Sequence, residues 1–135
     1  MSLSPLLALR NAVRERLGAD AGLSARVSGV FDEPPSGAGH PYVVFGDGQM
    51  RDWSASLSRG VEILLPLHVW TTHRGMAEAL HIAHRVAGLL DEATLAVEGC
   101  RLVNLRFVSL ETRRDNIGRF ARASLRFRAA LEILE

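Results

Sequence analysis

The chain has 135 residues, 47% of them hydrophobic, a formal net charge of +1 and a single cysteine. A length of that order suits one domain, spanning 1–135, that buries about two-thirds of its unfolded surface. A lone Cys100 excludes an intrachain disulfide, no apolar run approaches the roughly 20 residues of a bilayer-spanning helix, and Arg10, Arg14 and Glu15 interrupt the N-terminal leucines where a secretory leader would be continuous. The expectation is a soluble protein made in the cytoplasm, with no membrane partner.

Charge is unevenly spread along the chain. Residues 1–100 hold eight arginines against eleven carboxylates, whereas residues 101–128 hold eight arginines against Glu111 and Asp115 alone. All sixteen basic residues are arginine, which reads as composition bias rather than selection for the forked guanidinium. The segregation is the more informative fact.

Ser4-Pro5 is a helix start, with Ser as the cap and Pro at the first helical position, where its missing N–H has no partner to lose. Leu6, Leu9, Val13 and Leu17 then share one face, and Gly18 is a stop. Ala21 to Arg26 suggests a further helical turn, followed by a short strand over Val27 to Phe31. Residues 33–41 (EPPSGAGHP) break both kinds of ladder and form a loop. Tyr42 to Phe45 fits a buried strand, and Gly46 to Arg59 (GDGQMRDWSASLSR) fits either a mobile loop or an extended hairpin arm. Val61 to Val69 alternates with apolar residues at every odd position, a half-buried strand; Pro66 within it calls for an edge position or a bulge.

Thr71 or Thr72 can cap a following helix whose stripe runs through Met76, Ala79, Leu80, Ala83, Val86, Ala87 and Leu90. Leu95 to Val97 suggests another short strand. Leu102 to Leu110 and Phe120 to Leu134 read as a long hairpin around the polar segment 111–119, which contains Asp115, Asn116 and Gly118. In the second arm the odd positions from Ala121 to Ile133 turn inward, and Arg122, Ser124, Arg126, Arg128 and Glu132 turn outward. The first arm alternates less cleanly, as a bulge or two-sided burial would require. The sum is an α+β fold: a mostly antiparallel sheet of four to five strands with two helices packed on one face.

Catalytic patterns are missing. Gly46-x-Gly48 follows a strand, but Arg51 stands where a dinucleotide fingerprint needs its third glycine. Without lysine there is no phosphate loop of the Gly-Lys-Ser kind, and no Gly-x-Ser-x-Gly elbow occurs. His73, His81 and His84 lack the Cys or carboxylate that would complete a metal site, and read as ordinary solvated histidines. Asp32-Glu33 and Asp91-Glu92 are adjacent pairs whose side chains diverge, which suits neither acid nor base work. No catalytic residue, metal ligand or cofactor is expected.

Two surfaces stand out instead. Arg122, Arg126 and Arg128, with Arg113 and Arg114 in the turn, form a basic stripe that suits a protein interface, a nucleic-acid surface or solvent. The 46–59 segment carries Met50, Arg51, Trp53 and Arg59, with Trp53 as its natural anchor. A molecule acidic in one part and basic in another suits head-to-tail contact with its own copies, and such contacts close into rings.

The opening amphipathic helix, the Val-Ser-Gly-Val-Phe-Asp segment running into Pro34-Pro35, His40-Pro41-Tyr42-Val43-Val44, and Leu67-His68-Val69-Trp70 followed by the Met76 to Leu90 helix together resemble the tail terminator or tail completion proteins of long-tailed phages and phage-like gene transfer agents. The likeness covers nearly the whole chain. It implies a non-enzymatic virion subunit that forms a hexameric ring, caps the tail tube and attaches the tail to the head connector, with DNA passing through the opening. Two alternatives stay open: a head-side connector or adaptor of similar fold, and a nucleic-acid-binding module built on the basic hairpin.

Overall fold

A computed structural model of the chain describes residues 4–72, 74–115, 117 and 119–134. The elements are α1 (Pro5–Gly18), α2 (Ala21–Ser24), β1 (Val30–Phe31), β2 (Tyr42–Phe45), β3 (Gln49–Asp52), β4 (Gly60–Thr72), α3 (Met76–Leu90), β5 (Cys100–Asp115) and β6 (Phe120–Ile133). The α+β class holds, but the sheet has six strands among the described residues. Its order is β1-β2-β4-β6-β5, with β3 also paired to β4. All neighbours are antiparallel except β1 and β2, which run parallel. The third helix is the single turn of α2, held by the Asp20 carboxylate, which accepts from the Leu23 N–H at 2.8 Å.

Strand β4 is the axis of the sheet. Its odd residues Val61, Ile63, Leu65, Leu67 and Val69 are buried, opposite Leu131, Ala129, Phe127, Leu125 and Ala123 of β6. They meet Leu9, Val13 and Leu17 of α1 and Ala79, Ile82, Ala83, Val86 and Leu90 of α3 in one continuous core. Among the described residues no helix covers the other face of the sheet.

Pro66 lies neither at an edge nor in a bulge of β4, whose pairing with β6 is unbroken from Gly60 to Thr72. The irregularity is in the strand opposite. Phe45 pairs with Leu67 and Gln49 with Leu64, so the β2–β3 strand carries one extra residue there. The Pro66 carbonyl accepts from Gly46 at 2.9 Å, and its absent N–H falls where the partner ladder is already interrupted. Gly46 suits this crossing because a methyl there would come within 2.6 Å of the His68 ring.

Several local expectations are corrected. The strand expected over Val27 to Phe31 is only Val30–Phe31, and Leu95 to Val97 contributes a single bridge from Val97 to Cys100. Thr71 and Thr72 belong to β4, and Gly75 begins the helix; the buried Thr71 hydroxyl instead donates to the Gly75 carbonyl at 3.0 Å. On α3 Ala79, Ala83, Val86 and Leu90 are buried as expected, but Ile82 joins the buried stripe and Leu80 is exposed. Residues 111–115 are strand rather than turn, so the hairpin extends to the Asp115–Phe120 pair. His73, Asn116 and Gly118 lie outside the described residues.

Candidate assembly surfaces

The arginines predicted to form one stripe divide between the two faces of the hairpin. In the β5–β6 ladder Arg113 is opposite Arg122, on the uncovered face, with Arg126 and Arg128 further along it. Arg114 is opposite the inward-facing Ala121 and so belongs to the other face. Arg51 shares the uncovered face but is tied to Glu62 at 2.6 Å. Arg59 stands apart, in the 53–59 arm between β3 and β4.

One arginine that sequence reasoning missed completes the uncovered row. The register of β5 shifts between Leu102 and Asn104 and again between Phe107 and Ser109, so Val103 and Val108 are bulged out of the ladder. These two shifts put Leu102, Leu105, Phe107 and Leu110 on the helix side and set Arg106 opposite Arg128. The broken alternation of this strand was the available signal, since a period that slips twice marks two bulges. The face then presents Arg106, Arg113, Arg122, Arg126 and Arg128. Arg122 lies over the Trp70 ring at 5.3 Å, and Trp70 in turn packs on Phe120 at 4.6 Å. Beside it the His68 ring and the Ser124 hydroxyl are 2.7 Å apart. Burial, with Arg122 adding to it and Asp47 opposing it, holds His68 below the ordinary histidine range.

The two lateral edges of the sheet differ. At one edge β5 has no partner on its outer side among the described residues, and a groove of about 420 Å³ runs between it and α3. Leu80, Ala83, His84, Phe107 and Leu110 line this groove, and Asp91 is its one charged residue besides. Leu80, Phe107 and Leu110 are all exposed there. On the far side of β4, β3 is exposed at all four residues, and the arm beyond it carries Trp53, 47% exposed, and Leu57, 99% exposed. The arm is a tight loop closed by the Ala55–Ser58 bridge. Trp53 rests one side of its ring on the backbone of Gly60, where a methyl would meet the Trp53 and Leu131 carbonyls at 2.9 and 3.0 Å.

Polar clusters elsewhere tie elements together. Asp32 receives Arg10 at 2.5 Å and Arg14 at 2.6 Å, and both guanidinium groups lie over the Phe45 ring, clamping α1 to the β1–β2 corner. Partial burial pushes the Asp32 carboxyl up, but the two arginines outweigh it and leave it below the usual range. Arg85 makes a two-pronged contact with Asp20 at 2.9 Å, joining α3 to α2. That hydrogen bond, then the one from Leu23, lowers the Asp20 carboxyl. Burial pushes the Cys100 thiol up, away from nucleophilic use. His81 and His84 are both exposed on α3.

These surfaces define a class before any comparison: a small α+β subunit whose distinctive features are edges, an arm and a charged sheet face, the equipment of an assembly protein. A sequence model of the family described as tail completion protein gp17 matches residues 11–132. The tail completion protein gp17 of Bacillus phage SPP1 is 33% identical over 113 residues, 82% of each chain. Among solved structures, a chain of the virion of a native gene transfer agent particle superposes with a TM-score of 0.87 at 33% identity, covering 97% of this chain and 99% of that one. The structure of SPP1 gp17 superposes with a TM-score of 0.64 at 28% identity, covering 90% and 87%.

The chain belongs to the tail completion protein gp17 family. It is a structural virion protein of phages and phage-like gene transfer agents and not an enzyme.

Proposed function

We propose that this chain forms a closed ring on the end of the tail tube, where it stops tube polymerisation and joins the tail to the head connector. The observation that carries the reading is the unlikeness of the two sheet edges. A groove beside the outer edge of β5, which has no strand partner there among the described residues, lies at one side, and an arm bearing the exposed Trp53 and Leu57 extends on the other side of β4. Unlike surfaces on opposite sides of one subunit make heterologous contacts, and such contacts close into rings when the rotation per subunit divides a full turn. The arm's single charge, Arg59, and the groove's, Asp91, are opposite in sign.

In this reading Met50, Trp53 and Arg59 meet a neighbouring copy at its groove, and Arg113 and Arg114, towards the end of β5, approach the tube or the connector. Six copies are what the family resemblance implies. The mechanism is geometric. One ring face matches the last ring of the tube and the other does not, so addition ends and a different partner docks.

Particles assembled without the protein provide the test. Tubes of uncontrolled length, or tails lacking heads, are expected by electron microscopy. Normal joined particles would sink the reading. Trp53→Ala should fold normally yet give the same defective particles, because a ring already half exposed contributes little to the core and much to a desolvated contact.

A further inference from the structure

We propose that the uncovered face of the β5–β6 hairpin binds duplex DNA through its phosphate backbone, by way of Arg106, Arg113, Arg126 and Arg128. This is a property of the subunit itself and stands whether or not rings form.

The face is electrostatically unfinished. Arg101 is engaged with Glu132 at 3.1 Å and Arg51 with Glu62, whereas among the described residues none of Arg106, Arg113, Arg126 and Arg128 is in an ion pair. Three of the four are in direct cross-strand opposition to another arginine: Arg106 and Arg128 to each other, and Arg113 to Arg122. Like charges directly opposite destabilise a sheet, so the isolated fold gains nothing from this arrangement. An anion laid across the face would relieve both pairs.

The choice of anion follows from the layout. Alternate residues of one strand are about 7 Å apart and neighbouring strands about 5 Å, so the guanidinium groups are spread along the hairpin in two groups, Arg106, Arg126 and Arg128 at one end and Arg113 beside Arg122 at the other, with the Glu111–Ser124 pair between them, rather than gathered in one pocket. Duplex DNA offers a continuous line, roughly one charge for every 1.7 Å of axis. An acidic protein would present scattered carboxylates, and the centres of protein interfaces are depleted in charge and rich in aromatic groups. Here the aromatics of the same face, Trp70 and Phe120, pack on each other and under Arg122. With those two rings engaged by each other and by Arg122, the contact is with the backbone and carries no sequence preference.

The experiment is fluorescence anisotropy of a labelled mixed-sequence duplex with the purified full chain between 50 and 200 mM salt. Four phosphate contacts predict a log–log slope near −3.6 and a loss of affinity on the order of a hundredfold over that range. Arg126→Ser with Arg128→Ser should reduce the slope by about two, while Arg26→Ser, away from the face, should leave it unchanged. Thermal melts of each variant establish that it is folded, and added duplex should raise the melting temperature of the wild type more than that of the double variant. No binding at 50 mM salt, or an unchanged slope in the folded double variant, overturns the proposal. So does tighter binding of a poly-glutamate chain of equal charge, which would assign the face to an acidic protein. Rings without DNA binding would overturn this inference alone, and DNA binding without rings would overturn only the preceding reading.

Discussion

His68 shows how much a single side chain on an open sheet face can be governed by its neighbours. It is half-buried between β2 and β6, beside Ser124 and close to Arg122, and both burial and that arginine disfavour its cation. Its folded pKa is depressed, so the stability it contributes is complete above the unfolded value of about 6.5 and is lost as pH falls from there toward the folded value. The melting temperature of the wild type should therefore drop between pH 7.5 and pH 5, and His68→Asn should flatten that part of the profile. Gly60 makes a second prediction at this scale. Its place under Trp53 and against the Leu131 carbonyl leaves no room for a methyl, so Gly60→Ala should destabilise by about 1–3 kcal/mol in a denaturant titration. Neither role was legible beforehand. Alternation put His68 on the polar face of its strand, but only the pairing with β6 brings Ser124 and Arg122 to it.

The strands and helices were more legible than their contacts. The two-residue period of β4 and β6 is unbroken, and every odd residue from Ala121 to Leu131 is buried as expected. In β5 the same signal failed, because two bulged residues reverse the phase and no local feature dates the slips. One consequence is that Phe107 reaches Phe127 edge-on at 6.0 Å instead of joining the outer face. Another is the Arg106–Arg128 opposition. Arg113→Glu would turn the neighbouring Arg113–Arg122 repulsion into an attraction and should raise stability by about 0.2–1 kcal/mol, measurable as a shift in denaturant midpoint without a change in slope. Helix α3 buries Ala79, Ala83, Val86 and Leu90 of its expected stripe but takes in Ile82 and leaves out Leu80. Leu80 and Ile82 are equally apolar, and only the placement of the helix over β4 and β6 decides that Ile82 is buried and Leu80 faces the groove.

For the whole molecule, the central question is which part of the chain stabilises the fold and which part serves assembly. Phe127 is fully buried between the sheet and α3, and Phe127→Ala should cost about 3–5 kcal/mol, a large share of the 5–15 kcal/mol typical of a domain. Circular dichroism melts of this variant should show partial or complete loss of the folded state at ambient temperature. Trp53→Ala should leave the same melts nearly unchanged. The amino-acid order alone determined the α+β class, the central alternating strand, the helix docked on it, the polarity of charge and the absence of catalytic patterns, because each depends on residues close together in the chain and on periods of two or 3.6. Tertiary structure alone decided the sixth strand, the parallel β1–β2 pair, the extra residue opposite Pro66, the separation of Arg114 from the other hairpin arginines and the pairing of a groove with an arm across the sheet. Those depend on register and on which strands become neighbours, and register is set by long-range contacts whose energies no local window contains.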